Sequence, residues 1–391
     1  MEKGGMRVVL LNGIPDSNPL EKSEWERVDA VVIALKSRSS ASEKAVEDTL
    51  KAANWLKAHG AEHYYIKYCS TFDSTKNGNI GPVCDAMLEW MGEKYTILCP
   101  SLPVNGRTVK DGCLYVENVP LSESHMRYHP LNPMTDSRIK NLMEAQSRYH
   151  VCEIGRNYEI KEKADGQNQK HFYLVPDYET EEDGEAIAEA FRDIKLFTGG
   201  SGLPESLARI YTGGCKGEDS DFTTEAEGRT LILAGSCSKM TLEQIEEFQQ
   251  TGQPSYRIEP SQLLEGKQSL DEFKGYIEKS DGNVLIYSSD TVTHIQNNSF
   301  RQREVSDVLE QALSELALFA IKAGIDKIIV AGGETSGAVM LRLNYKMFHI
   351  GKSVAPGVPV LIPFNRPKLH IVLKSGNFGK RDFFVETVKR M

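Results

Sequence analysis

The sequence predicts an α/β protein with two domains, each a mainly parallel sheet flanked by helices. Length is the first reason, because 391 residues exceed the size of one ordinary hydrophobic core. The second is that short apolar runs alternate with amphipathic stretches of helical length. The third is a polar, glycine-containing stretch at 213–228, which predicts a linker between an N-terminal domain, 1–212, and a C-terminal domain, 229–391. We expect the active site in the interdomain cleft.

The N-terminal domain begins with two apolar runs, Arg7–Leu11 and Asp29–Leu35, whose length is typical of strands. A helix is predicted at 42–60, where alanines and leucines recur at helical spacing and Gly60 suits the end. The other predicted elements follow in chain order: a strand at 63–70, a helix at 81–92, a strand at 95–101, a hairpin at 112–124, a helix at 137–146, a strand at 171–177 and a helix at 182–192.

A second alternation of strands and helices builds the C-terminal domain. Strand–helix–strand at this spacing predicts parallel strands with helices on both faces of the sheet. The predicted elements are a strand at 230–235, a helix from Thr241, a strand at 284–290, a long amphipathic helix at 305–323, a strand at 326–332 and a last strand at 368–374.

The composition disfavours several classes of function. A net charge of -9 argues against a nucleic-acid partner, because phosphate neutralisation needs excess lysine and arginine. The seven cysteines are scattered and include no C-x-x-C pair, which favours a reducing compartment over a disulfide scaffold. The histidines lack metal-ligand spacing, so a zinc site is not indicated either. The sequence has no apolar run of ~18 residues and no signal-peptide pattern at its start, so we expect a cytoplasmic protein without a membrane partner. A homo-oligomer is compatible with the sequence, which leaves the oligomeric state open.

Three glycine-containing polar turns each follow an apolar strand of the C-terminal domain, at 234–241, 331–339 and 374–382. Ligands of open parallel sheets bind at the carboxyl ends of the strands, where glycine lets backbone N–H groups approach an anion. One such turn is more often a plain connection, but three in one domain favour a shared nucleotide site. Neither a Walker A loop nor a G-x-G-x-x-G motif of the Rossmann type is found, which disfavours an NAD-dependent oxidoreductase.

Polar loops at the strand ends of the N-terminal domain predict a pocket for a small, polyhydroxylated acid. The densest loop is "KYCSTFDSTKNGNIGP" at 67–82, and a solvated turn with capping side chains is the alternative explanation of it. Arginine and lysine at three such loops provide cations for a carboxylate in an otherwise acidic protein. The candidate substrate-binding residues are Lys36, Arg38, Lys67, Ser70, Asp73 and Arg107.

These segments resemble the four-carbon acid sugar kinase family, and within it the 3-oxo-tetronate kinases. The resemblance implies a substrate domain followed by an ATP domain, and ATP-dependent phosphorylation of the terminal hydroxyl of 3-oxo-tetronate, with Mg²⁺ bridging the phosphates. The matching strings are "KYCSTFDSTKNGNIGPV", "LPVNGRTV", "HPLNPMTDS", "TGGSGL", "GSCSKMT", "AGGETSG", "FHIG", "APGVP" and "LKSGNFG". The ATP contacts that they imply are Ser236 or Ser238, Gly332, Gly333, Glu334, Thr335 and Gly376.

One family feature is absent from the sequence. Members of the family begin with a strand and an A-D-D-[FL]-T-G-A loop, whose aspartates resemble the base and the substrate-hydroxyl ligands, whereas "ADD" occurs nowhere here. We therefore expect that this segment is missing and leave the catalytic base unassigned, with Asp73 and Asp177 as remaining candidates. The alternatives are a threonate or erythronate kinase, or a catalytically impaired protein that binds a nucleotide or metabolite.

Overall fold

A computed structural model describes the chain except for residues 17, 36, 39, 130, 131, 159–169, 215–225 and 289–298. The chain forms two compact units, residues 1–218 and 219–391. No helix among the described residues combines the length and the apolar character needed to cross a membrane. The six cysteines in the described part of the chain are free thiols.

The first unit contains ten strands and six α-helices, besides four short 3-10 helices. Its strands are β1 Val8–Asn12, β2 Ala30–Ala34, β3 Tyr64–Lys67, β4 Tyr95–Cys99, β5 Arg107–Lys110, β6 Cys113–Val116, β7 Val119–Pro120, β8 His150–Gly155, β9 Phe172–Pro176 and β10 Leu196–Gly199. Its helices are α1 Lys22–Trp25, α2 Ser42–Ala58, α3 Ile80–Met91, α4 Ile139–Glu144, α5 Glu181–Ala190 and α6 Leu203–Tyr211. These counts refer to the described residues.

A parallel sheet in the order β3-β10-β4-β9-β8 forms the centre of this unit. All five residues of β9 and all four of β10 are buried, as expected for inner strands covered on both faces. Strands β1 and β2 form a parallel pair. Strands β5, β6 and β7 form an antiparallel sheet, of which β6 and β7 lie in the predicted hairpin segment at 112–124. Local signals fix several helix ends, including the Thr180–Asp183 capping box that begins α5.

The second unit contains seven strands and six helices within its described residues. Its strands are β11 Thr230–Ala234, β12 Ser255–Arg257, β13 Val284–Tyr287, β14 Lys327–Ala331, β15 Met347–Ala355, β16 Val358–Pro363 and β17 His370–Lys374. Its helices are α7 Lys239–Gln250, α8 Pro260–Leu264, α9 Leu270–Lys279, α10 Ser299–Lys322, α11 Gly333–Leu343 and α12 Phe383–Arg390. The strand order within the unit is β12-β13-β11-β14-β17-β16-β15.

The sheet of the second unit is parallel from β12 to β17, and β16 and β15 are added antiparallel to it. This architecture confirms the predicted α/β class with mainly parallel sheets. The sequence analysis missed the β15–β16 hairpin. It also placed the start of α7 at Thr241, whereas the helix begins at Lys239, because the Ser238 side chain accepts a hydrogen bond from the Thr241 backbone N–H.

Candidate functional site

The three glycine-containing turns of the second unit begin at the same level of its sheet. Strands β11, β14 and β17 are adjacent and parallel, and their register pairs Ala234 with Ala331 and Ala331 with Lys374. Each strand therefore ends beside its neighbour, and the turns that follow leave from one edge. Backbone hydrogen bonds from Gly235 N to Ala331 O and from Gly332 N to Lys374 O, both 3.0 Å, continue the pairing into the turns.

The turns pack against one another so closely that a side chain at either of two glycines would have to displace a neighbouring hydroxyl group. A Cβ atom on Gly376 would lie 2.3 Å from Ser236 Oγ and 2.8 Å from Ser238 Oγ. A Cβ atom on Gly235 would lie 2.3 Å from Thr335 Oγ1. The geometry thus brings together predicted ATP contacts from all three turns, although their binding role stays a prediction.

Gly332 and Gly333 differ in what they require. Gly332 has φ of 126°, which favours glycine, and a Cβ atom there would lie 3.0 Å from Thr335 Oγ1. At Gly333, the first residue of α11, a Cβ atom would meet nothing within 4 Å. Packing therefore does not explain Gly333, and its exposed position leaves the N-terminal N–H groups of α11 open to an anion. The next residue, Glu334, is also exposed and lines an open cavity of about 490 Å³.

Hydroxyl groups connect the turns at their base. Ser238 N donates to Ser236 Oγ at 3.2 Å, and Ser238 Oγ donates to Thr241 Oγ1 at 3.1 Å. Thr241 Oγ1 donates to Gly376 O at 2.8 Å. The Gln244 side chain, which is fully buried, donates to two further carbonyls of the turn after β17. Helix α7 therefore fixes the backbone of that turn.

Lys374 is the residue at this edge that the sequence analysis missed. Its side chain is only 2% exposed, and its ammonium donates to Thr241 Oγ1 at 3.0 Å and to Gly376 O at 2.8 Å. The rings of Phe383 and Phe384 lie 5.8 Å from Nζ. Burial lowers the pKa of Lys374 to about 8. A lysine at the end of an otherwise apolar strand was the available signal.

The residues of this edge suit the phosphate groups of a nucleotide. Glycine turns, open N–H groups at α11 and a buried ammonium are the donor set that phosphate oxygens accept from. Within the described part of the chain, no three His, Cys, Asp or Glu side chains cluster as metal ligands. This does not conflict with Mg²⁺, which proteins usually hold through substrate phosphates and one or two carboxylates.

In the first unit, the loop after β3 holds Asp73 in a strained backbone. Phe72 and Asp73 have φ of 58° and 24°, which non-glycine residues rarely adopt, and both side chains are buried. Asn132 Nδ2 donates to Asp73 Oδ1 at 3.1 Å, and His129 Nδ1 lies 3.8 Å from the same oxygen. Strain of this kind is common at functional sites, where the surrounding structure sustains it.

Two of the predicted cations lie beside this loop. Arg38 Nη1 is 3.6 Å from Asp73 Oδ2, and its guanidinium is largely exposed. Burial of the Lys67 ammonium lowers its pKa, and the nearby Arg38 lowers it by a smaller amount. Part of the Lys67 side chain still reaches solvent. Ser70 is partly exposed in the same loop. Lys36 lies outside the described residues.

Arg107 and Asp177 make local contacts instead. The Arg107 guanidinium donates to the Asn105 carbonyl, and its backbone pairs with β6. Asp177 accepts a 3.3 Å hydrogen bond from Gly112 N, so its carboxylate supports the turn between β5 and β6. Of the two candidate carboxylates, Asp73 is therefore the one placed among polar and cationic side chains.

Comparison with known proteins finds a family model for each of the two units. A family model described as a sugar-binding N-terminal domain matches residues 1–207, and one described as a nucleotide-binding C-terminal domain matches residues 231–384. A 3-oxo-tetronate kinase from Actinobacillus succinogenes is 40% identical over 98% of this chain and 93% of its own length. The chain belongs to the four-carbon acid sugar kinase family. Further 3-oxo-tetronate kinases, from Haemophilus influenzae and Salmonella typhimurium, are 39% and 38% identical, each over 98% of this chain and 93% of the relative.

Solved structures of similar proteins extend this family relationship to the fold. A Haemophilus influenzae protein is 36% identical and superposes with a TM-score of 0.83, covering 100% of this chain and 95% of its own. A protein from Salmonella typhimurium LT2 is 37% identical, with a TM-score of 0.86 over 99% of this chain and 94% of its own. Both units of this chain therefore have counterparts in these two solved structures.

Proposed function

We propose that this chain is an ATP-dependent kinase that phosphorylates the terminal hydroxyl of 3-oxo-tetronate. The observation that carries the proposal is the meeting of three glycine turns and a buried ammonium at the carboxyl ends of β11, β14 and β17. The substrate assignment rests on relatives that are named 3-oxo-tetronate kinase and are similar to this chain over nearly its whole length. We place the reaction in the cytoplasm, in keeping with the free thiols of the described residues.

The second unit has the nucleotide role in this proposal. The backbone N–H of Gly333, at the start of α11, receives a phosphate oxygen, and Ser236, Ser238, Gly332, Thr335 and Gly376 form the adjoining wall of the nucleotide site. The Lys374 ammonium supplies positive charge next to Gly376. Phosphoryl transfer depends mainly on positioning and on charge neutralisation, to which a bound Mg²⁺ contributes between the phosphates.

The first unit has the substrate role. Lys36, Arg38, Lys67 and Arg107 provide positive charge for the carboxylate of the acid, and Ser70 provides a hydroxyl partner. We assign Asp73 to orient the attacking hydroxyl, because it is a buried carboxylate among polar side chains, whereas Asp177 serves a turn.

An assay of ADP formation tests the reaction directly. The full chain is incubated with ATP, Mg²⁺ and 3-oxo-tetronate, threonate or erythronate in turn, and ³¹P NMR identifies the phosphomonoester. We expect the highest kcat/KM with 3-oxo-tetronate. ADP formation only with threonate or erythronate would move the substrate assignment to those acids. ATP binding by calorimetry without ADP formation from any of the three would favour a non-catalytic binding protein.

Two matched alanine variants test the roles of the carboxylates. Asp73→Ala should lower kcat by roughly 100-fold or more, and it should also lower the melting temperature, because Asn132 loses the carboxylate that accepts its hydrogen bond. Asp177→Ala should lower the melting temperature, because the Gly112 N–H loses its acceptor. Equal kcat in Asp73→Ala and the parent would remove Asp73 from the reaction.

The substrate arginine has its own test. Arg107→Ala should raise the KM for the sugar acid if the guanidinium binds its carboxylate, with the KM for ATP as the internal control. Unchanged KM values would show that Arg107 does not bind the substrate and that its role is limited to its local contacts with Asn105 and β6.

A further inference from the structure

The Lys374 ammonium is a buried positive charge that lacks a carboxylate partner. Among the residues that the structure describes, its hydrogen-bond acceptors are a threonine hydroxyl and a backbone carbonyl, and no ion pair involves it. Burying a charge without a counter-charge costs much more than burying a neutral side chain. Such a position is retained in a stable fold when something else compensates the charge.

The charged groups on the surrounding elements do not supply that compensation. Helix α7, helix α12 and the turn after β17 pack around Lys374, and burial is the cause of its lowered pKa. The charged side chains on these elements form exposed or partly exposed pairs with one another: Lys239 with Glu243 at 3.9 Å, Arg381 with Glu247 at 2.9 Å, and Lys389 with Glu386 at 3.0 Å. Arg390 also lies 3.5 Å from Glu386, and the remaining charged groups, Glu246, Lys380 and Asp382, lie at exposed positions.

Lys374 also connects the three turns. Its carbonyl accepts from Gly332 N, and its ammonium holds Gly376 O and Thr241 Oγ1. Two of the three ammonium donors are used in these contacts. An anion bound beside Gly376 would therefore lie next to the residue whose carbonyl this cation holds.

We propose that Lys374 is a positioning residue whose buried ammonium is the counter-charge for the phosphate groups of the bound nucleotide, so that nucleotide binding and protonation of this side chain are coupled. This rests on the proposed function, since it assumes that the turns bind a nucleotide. The coupling follows from linkage: an anion that favours the protonated lysine must bind more tightly to the protonated protein. Because the free protein loses this proton near pH 8, nucleotide binding above that pH should take up a proton.

Calorimetry of the full chain measures this proton directly. ADP with Mg²⁺ is titrated at pH 8.5 in two buffers that differ in ionisation enthalpy, and the difference in heat gives the number of protons taken up. We expect roughly half a proton or more per ADP in the parent protein. Lys374→Met should show little uptake. Lys279→Met, which removes an exposed lysine at the end of α9, should match the parent.

A ligand series separates the electrostatic role from a purely structural brace of the turn. Adenosine, ADP and ATP carry increasing negative charge, so Lys374→Met should bind adenosine as the parent does and ATP roughly 10- to 100-fold more weakly. Loss of affinity by the same factor for adenosine and ATP would assign Lys374 to bracing alone and overturn the inference.

The proton measurement on the parent needs no variant and stays decisive if Lys374→Met does not fold. ADP binding without proton uptake at pH 8.5 would overturn the role of Lys374 and leave the kinase proposal intact. A parent protein that binds no adenine nucleotide would overturn both.

Discussion

Replacing Lys374 by methionine should change how the stability of the second unit depends on pH, even without a ligand. Methionine has a similar length and no charge, so it fills the space among Phe383 and Phe384 and abolishes the titration. In the parent protein, burial makes the folded state favour the neutral form of the Lys374 side chain. A comparison of the two proteins across alkaline pH therefore isolates the cost of burying one ammonium.

The structure sets the size and the sign of this effect. The pKa of Lys374 falls from an ordinary 10.5 to about 8 on folding. Above pH 8 the folded state releases the proton while the unfolded state keeps it until about pH 10.5, so raising the pH favours folding. The parent should gain about 2 kcal/mol in free energy of unfolding relative to Lys374→Met between pH 7 and pH 9.5, and about 3 kcal/mol once the titration is complete.

Urea unfolding at pH 7, 8, 9 and 9.5 gives the measurement, with far-UV circular dichroism as the probe. All three tryptophans, Trp25, Trp55 and Trp90, lie in the first unit. Their fluorescence therefore provides an internal control that the substitution should leave unchanged at every pH. Parallel pH dependence of the circular dichroism transitions in the two proteins would show that the ammonium is not buried as the structure describes, and would refute the reasoning.

Four further substitutions test packing and capping. Gly235→Ala should lower the free energy of unfolding by about 1–3 kcal/mol, because its Cβ would lie 2.3 Å from Thr335 Oγ1. Gly333→Ala should leave the melting temperature unchanged or raise it slightly. Equal losses of stability in both variants would contradict the packing of the turns. Asp85→Ala should lower the free energy of urea unfolding by about 3 kcal/mol, because this buried carboxylate accepts from a serine hydroxyl, a tyrosine hydroxyl and a backbone N–H. A loss below ~1 kcal/mol would show that water takes over as the acceptor for these donors. Thr180→Ala should cost about 1 kcal/mol by removing the capping box of α5, with an unchanged melting temperature as the opposing result.

Much of the fold follows from local sequence signals. The strands near 64–67, 95–99, 172–176, 230–234, 327–331 and 370–374 lie within their predicted segments, because each is an apolar run bounded by polar or glycine residues. The β15–β16 hairpin was missed since its two strands add antiparallel to a sheet whose other strands are parallel. Helix α10 begins at Ser299 rather than near residue 305, at a point where the apolar stripe is not yet regular.

The candidate sites divide in the same way. The three turns were found from their glycines, because a glycine after an apolar strand is visible in the sequence. Their common level at one sheet edge depends on the pairing of Ala331 with both Ala234 and Lys374, residues far apart along the chain. The contacts of Asp73 with Asn132 and Arg38 are likewise long-range and appear only in the folded chain.

The sequence by itself determined the α/β class and the positions of the three glycine-containing turns, because periodicity and glycine placement are local properties. Only the tertiary structure distinguished glycines that packing requires, such as Gly376, from those that packing leaves free, such as Gly333. It also revealed Lys374, since a lysine in a sequence is normally exposed. The burial and hydrogen bonds of its ammonium arise where strand β17, helices α7 and α12 and the turn after β17 meet, and no local pattern specifies that meeting.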